Sequence, residues 1–133
     1  MDELFTMSKV TVESIQNLQQ EVHIRQHVLR ADESVEIGGE DTAPNPHEFL
    51  LAALGNCTSM TLLVYSRRKG IPLEKVRVEL EDARDAGLTQ IRRDIHLEGP
   101  LSEEQRGRLL EIAAKCPVHR TLTGQIQIHD RLV

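Results

Sequence analysis

Asn45-Pro46-His47-Glu48-Phe49-Leu50-Leu51-Ala52-Ala53-Leu54-Gly55-Asn56-Cys57 runs on through Val64 to Arg67-Arg68-Lys69, and Gly70 with Pro72 closes the run. Asn45 is a good N-cap, and Pro46 suits the first helical position, where no N–H is needed. Arg67, Arg68 and Lys69 suit a last turn, where cations meet the negative end of a helix. The spacing therefore predicts one long helix from Pro46 to about Lys69. Its first two-thirds are apolar nearly all round, as in a helix buried on most faces, inside a domain or between subunits. Gly55 costs such a helix about 1 kcal/mol against Ala, so it points to a close packing contact. The most apolar part, Phe49 to Val64, is shorter than the roughly 20 residues that span a bilayer. It also carries Asn56, Thr58, Ser59 and Thr61. The expectation is a core helix and no membrane.

Upstream, Lys9 to Ile15 and Glu21 to Leu29 alternate apolar and polar residues, with Val10, Val12, Val22, Ile24 and Val28 among the apolar ones. Asn17 to Gln20 lies between them as a turn, which predicts two antiparallel strands. Asp32-Glu33-Ser34 and Gly38-Gly39 read as turns. Downstream, Val76, Val78 and Leu80 alternate with Arg77, Glu79 and Glu81, a strand with one wet face. Asp85-Ala86-Gly87 makes a turn into a strand over Ile91 to Leu97, with Ile95 and Leu97 on one face. Ser102-Glu103-Glu104-Gln105 is a capping box that opens a second helix, which runs to about Lys115 and stops at Pro117. Ile126, Ile128 and Leu132 predict a last strand. The order strand, strand, helix, strand, strand, helix, strand is α+β, in a single domain over residues 1–133. One small sheet does not cover the apolar helix alone, so a homodimer with that helix at its centre is the economical arrangement.

With 16 basic and 21 acidic residues the net charge is −5. Nucleic-acid binding rests on a basic surface, so this class is excluded. There is no Trp, one Tyr and two Phe, so the core is built from Leu, Ile, Val and Ala. The start Met1-Asp2-Glu3-Leu4 is acidic and reads as no secretory signal. The expected location is the cytoplasm, where a cysteine pair is more often catalytic or metal-binding than a staple.

Cys57 and Cys116 are the two thiols of the chain. One reading makes them small buried hydrophobes. The other makes them a redox pair, for which Cys57 needs a cation nearby because mid-helix burial disfavours a thiolate. Arg25 and Arg30 on the second strand are the candidates. Cys116, at the predicted C-terminus of the second helix, is the poorer thiolate and the better resolving partner. A zinc site is the rival: Cys116-Pro117-Val118-His119 has half of a ligand spacing. The only plausible second pair, His47 and Cys57, is ten residues or about 15 Å apart along one helix. Glu48 lies nine residues before Cys57, about 13.5 Å away, so it assists that thiol only from another subunit. Stabilising its own helix N-terminus is the equal alternative. His119 and Arg120 read as surface or loop residues, and Leu50, Leu54 and Met60 as the walls of an apolar mouth.

The same passages resemble the OsmC/Ohr family over most of the chain. The resemblance is carried by Asp32-Glu33 before Gly38-Gly39, and by Asn45-Pro46 with an acid nearby and Cys57 eleven residues after Pro46. It is completed by Cys116-Pro117-Val118 with Thr121-Leu122 after a helix. It implies an α+β intertwined homodimer with antiparallel sheets packed on two central helices. It also implies thiol-dependent reduction of organic hydroperoxides, in oxidative or osmotic stress defence, with no cofactor. Cys57 corresponds to the peroxidatic thiol and Cys116 to the resolving one; a small dithiol or a lipoylated protein supplies the electrons. In the organic hydroperoxide resistance branch the acid directly follows Asn-Pro, whereas here His47 takes that slot and Glu48 comes one later. That branch also has a thiol-activating Arg in its N-terminal hairpin, for which Arg25 is the first choice and Arg30 the second. Ala53-Leu54-Gly55-Asn56-Cys57-Thr58 is closer to the divergent OsmC-like branch.

Overall fold

The computed structural model describes residues 8–133, so the acidic start at Met1 to Leu4 lies outside the described residues. The chain divides after Leu50 into two compact units.

In the first unit β1 (Thr11–Ser14), β2 (Gln20–Ile24) and β3 (His27–Ala31) form an antiparallel sheet in the order β1-β2-β3. The turn expected at Asn17 is present, with Asn17 at φ 49. The single strand expected over Glu21 to Leu29 is instead a hairpin. Ile24 pairs with His27, leaving Arg25-Gln26 as a two-residue turn with Arg25 at φ 55. Residues opposite one another share a face, so Val22 lies with Leu29, and Val28 falls on the other face beside His23. The turn lacks the Asn-Gly or Asp-Gly that ordinarily marks such hairpins, so the alternation of residues continues across it.

Asp32 organises the loop that follows. Its carboxylate accepts from the Thr42 hydroxyl at 2.7 Å and from the backbone N–H groups of Thr42, Glu33 and Glu40. Gly39 is required here, since a Cβ would lie 2.1 Å from the Glu33 carbonyl oxygen. The Thr42 hydroxyl and N–H, with further help from the Glu33 and Glu40 N–H groups, hold the Asp32 carboxyl down at about 2 from its usual 3.8, against the effect of burial. A carboxyl held down in the folded state contributes stability that is present above the unfolded value and lost as pH falls from about 4 to about 2. Asp32→Asn is therefore expected to melt below the wild type at neutral pH. The gap should narrow between pH 4 and pH 2; melting curves with a constant gap would exclude this role.

The long helix α1 spans Pro46–Lys69 and passes from the first unit into the second. Its start is a reciprocal cap: Glu48 N donates to Asn45 Oδ1 at 2.9 Å and Asn45 N donates to Glu48 Oε1 at 2.8 Å. Arg67, Arg68 and Lys69 fill the last turn as expected, and Gly70 ends the helix at φ 67. With its caps, α1 is long and apolar enough by length and composition to cross a membrane, against the expectation drawn from Phe49 to Val64 alone. The chain by itself does not bury the helix on most faces. Within the single chain one stripe is buried, Leu54, Gly55, Thr58, Leu62 and Ser66, while Met60 and Val64 are exposed. The i, i+4 spacing of that stripe presents a single face to the second unit's core.

In that second unit β4 (Lys75–Asp85) and β5 (Leu88–Glu98) form an antiparallel hairpin closed by Ala86 and Gly87, both at positive φ. Val76, Val78 and Leu80 alternate inward as expected. Gly55 lets this sheet approach the helix: a Cβ there would meet Leu80 Cδ1 at 2.8 Å. Helix α2 (Glu103–Ala113) opens on the expected capping box between Ser102 and Gln105. Leu62 of α1 packs with Leu109, Ile112 and Ala113 of α2, flanked by Val76, Ile95 and Leu97.

Two features after α2 differ from the sequence reading. A third helix, α3 (Pro117–Thr123), follows after a short break, and residues 125–133 form neither helix nor strand. Pro117 stops α2 but is equally suited to open a helix, and Cys116 supplies the cap. The Ile126 and Ile128 alternation is that of a strand, but a strand also needs a neighbour to complete its ladder.

Candidate active site

The start of α3 gathers both thiols. Cys116 is the N-cap of α3, with extended backbone (φ −64, ψ 141), and its Sγ accepts from His119 N at 3.3 Å. The Sγ of Cys57, from the middle of α1, accepts from Val118 N at 3.5 Å. Two sulfurs from residues 59 positions apart thus engage consecutive N–H groups of one turn. This reverses the expectation for Cys116. The residue ends no helix; it begins one, where free N–H groups favour an electron-rich acceptor. Both cysteines are free thiols, Cys57 half-buried and Cys116 completely buried.

Thr58, next to Cys57, links the second sulfur to a cation. Its Oγ1 donates to Leu54 O at 2.7 Å and accepts from Arg93 Nη1 at 2.9 Å. A hydroxyl has one hydrogen and two lone pairs. The hydrogen is committed to Leu54, so in the 4.0 Å contact between Thr58 Oγ1 and Cys116 Sγ the thiol is the donor. Cys116 is therefore seated as a thiol, giving its hydrogen to Thr58 and accepting from His119 N. Arg93 also donates to Ala113 O at 3.5 Å and to His119 Nδ1 at 3.3 Å. Arginine has no acceptor, so His119 Nδ1 carries a lone pair and the ring's proton sits on Nε2.

Arg93 is the residue that sequence reasoning missed. It sits on β5 in the inward alternation Ile91, Arg93, Ile95, Leu97. A charged residue in the apolar phase of a strand was the signal. His119, read as a surface residue, is half-buried against Arg93, whereas Arg120 is exposed.

Cys57 opens onto a groove of about 950 Å³, walled by Met60, Val64 and Ile112 and carrying the cations Arg68, Lys69 and Lys115. Of the expected mouth residues Met60 lines it, Leu54 is buried on the core face of α1, and Leu50 belongs to the first unit. Glu48 has its carboxylate on the Asn45 N–H, and Arg25 and Arg30 lie in the first unit's hairpin, Arg30 beside Glu21. Among the described residues no three His, Cys, Asp or Glu side chains gather as metal ligands.

The family model of the OsmC-like proteins matches residues 38–129 of the chain, a span that includes both thiols. The chain belongs to the OsmC-like family. Solved structures agree on the fold. An OsmC-like protein from Mycoplasma pneumoniae is 20% identical with a TM-score of 0.77, over 90% of this chain and 89% of that one. An organic hydroperoxide resistance protein OsmC from Legionella pneumophila is 21% identical with a TM-score of 0.65, over 89% and 90%. An organic hydroperoxide resistance protein from Elizabethkingia anophelis is 18% identical with a TM-score of 0.68, over 91% of both chains. Among curated proteins none matches. The α+β architecture of this OsmC-like protein, with two antiparallel sheets and three α-helices among the described residues, is that of these structures.

Proposed function

We propose that this OsmC-like protein is a thiol-dependent peroxidase that reduces organic hydroperoxides in oxidative or osmotic stress defence. The observation that carries the reading is the meeting of Cys57 and Cys116 on the consecutive N–H groups of Val118 and His119. Cys57, half-exposed on the groove, is the sulfur an incoming peroxide reaches; Cys116, fully buried, is not. The Cys57 thiolate attacks one peroxide oxygen, the O–O bond breaks, and the alkoxide takes a proton and leaves as the alcohol. Cys57 is left as a sulfenic acid. Cys116 then attacks that sulfur: the S–S bond forms, the S–O bond breaks, and hydroxide leaves with the thiol proton as water. A small dithiol or a lipoylated protein reopens the disulfide. The names of the Legionella and Elizabethkingia proteins support the substrate class.

In the same reading Glu48 and Arg25 are the acid and the cation that serve Cys57, brought to it by the second chain of an intertwined homodimer. The exposed apolar side chains Leu50, Met60 and Val64 of α1 support such a partner. The dimer works in the cytoplasm, without nucleic acid or membrane. The apolar wall of the groove favours one other reading, a non-catalytic domain that binds a small apolar ligand.

Intact mass after one equivalent of cumene hydroperoxide, without reductant, separates the two. The peroxidase loses about two mass units per chain, and Cys57→Ser and Cys116→Ser do not. An unchanged mass with both thiols still countable after denaturation leaves the ligand-binding reading. The native mass of the same sample, twice the 15.0 kDa of one chain, checks the dimer.

A further inference from the structure

We infer that Arg93 is a positioning residue for the recycling half of the cycle, supporting Cys116 as the leaving thiolate when a dithiol reopens the disulfide. The inference rests on the thiol reading above and assigns a step that Cys57 and Cys116 alone do not explain.

Three observations lead to it. First, exposure decides which sulfur of a Cys57–Cys116 disulfide an external thiolate attacks. Cys57 lines the groove, while Cys116 is fully buried. Attack at Cys57 forms a mixed disulfide there and breaks the Cys57–Cys116 bond, and the bonding pair leaves on Cys116. The dithiol's second thiolate then attacks its own sulfur in the mixed disulfide, releasing the Cys57 thiolate and an oxidised dithiol. Cys116 regains its proton, and electrons and atoms balance.

Second, a leaving thiolate governs the rate of thiol–disulfide exchange by how well its charge is held. At Cys116 no water does this, because the residue has no exposed surface. The protein donor on hand is the His119 N–H at 3.3 Å. The Thr58 hydroxyl at 4.0 Å serves the thiolate only by turning its hydrogen from Leu54 O, which leaves the Arg93 charge directly behind Thr58 as the standing support.

Third, Arg93 is a half-buried guanidinium whose partners are all neutral: Thr58 Oγ1, Ala113 O and His119 Nδ1. No carboxylate lies within 4.0 Å of it among the described residues, although other arginines, such as Arg92 one residue earlier, hold one. Placing a cation in the apolar phase of a strand without a counter-ion is costly. The Cys116 thiolate is the missing counter-ion, present at one point in the cycle. Arg93 also holds Thr58, whose hydroxyl lies 4.0 Å from that sulfur, and the ring of His119, whose backbone N–H donates to it.

The test prepares the disulfide chemically, with diamide, and follows its reopening by dithiothreitol in stopped flow. Arg93→Gln is expected to reopen roughly ten- to a hundredfold more slowly, the span of a charged hydrogen-bonding partner lost. Oxidation of reduced Cys57 by cumene hydroperoxide in the same variant should change less than about threefold. Arg93→Lys should recover most of the reopening rate, which a merely structural role would not distinguish from Arg93→Gln of equal stability. Equal slowing of both steps, or no slowing of reopening, overturns the inference. Should Arg93→Gln fail to fold, the wild type still decides. Mercaptoethanol trapped on the diamide disulfide must sit on Cys57, and an adduct on Cys116 overturns the inference. A disulfide formed by diamide but not by peroxide defeats the peroxidase reading and leaves this test standing. Formation by neither defeats both.

Discussion

Replacing Cys57 by serine is expected to reduce peroxide turnover with a dithiol to the uncatalysed background, a loss of at least about a thousandfold. The attacking species is a thiolate, and a serine hydroxyl in the same place is not ionised at working pH. No second nucleophile replaces it, because the other sulfur is fully buried behind Thr58. The folded state should survive the change. The site is half-buried, and the 3.5 Å contact from Val118 N has an oxygen acceptor in its place. Cys116→Ser gives the contrasting result: one equivalent of peroxide is consumed, and the sulfenic acid persists long enough to be trapped. Arg25→Gln and Glu48→Gln, if those residues serve Cys57 across a dimer, slow this first step and leave reopening by dithiothreitol unchanged. Peroxide consumption by Cys57→Ser at the wild-type rate would end the peroxidase reading.

The parts of this site differ in how plainly the sequence announced them. Helix α1 was legible from end to end because its punctuation is chemical: Asn45 and Pro46 at the start, Gly70 and Pro72 after the end. The β4–β5 hairpin was legible from Val76, Val78 and Leu80 and from the Ala86-Gly87 turn. The β2–β3 turn was not, because Arg25 takes a left-handed conformation without a residue that advertises it. Pro117 hid α3, since a proline that ends one helix and one that begins the next look the same in a sequence. That single ambiguity moved Cys116 from a helix end, where an anion is disfavoured, to a helix start, where N–H groups receive it. The two cysteines were visible as chemistry. Their setting was not, because Thr58, Arg93 and His119 come from α1, β5 and α3 and converge only through tertiary packing.

Leu62→Ala is expected to cost the fold about 3 kcal/mol, and a melting temperature roughly 10 °C lower. Leu62 is fully buried at the centre of the cluster with Leu109, Ile112 and Ala113, the contact that holds α1 against α2. Truncation loses the transfer free energy of the removed methyl and methylene groups and leaves a cavity that the helices close only in part. Water offers little relief. A buried water needs two to four polar partners. The polar atom one turn along the stripe is Ser66 Oγ, itself buried and without a hydrogen-bond partner among the described residues. One turn the other way, the Thr58 hydroxyl is already fully committed to Leu54, Arg93 and Cys116. The cavity therefore stays dry, and the cost lies well above that of a surface truncation. The effect also reaches the chemistry, since Leu62 supports the helical turn that presents Thr58 to Cys116. Urea denaturation of Leu62→Ala beside Leu109→Ala measures both sides of the same contact. Losses below about 1 kcal/mol in both would mean that α1 is held to α2 by something other than this cluster.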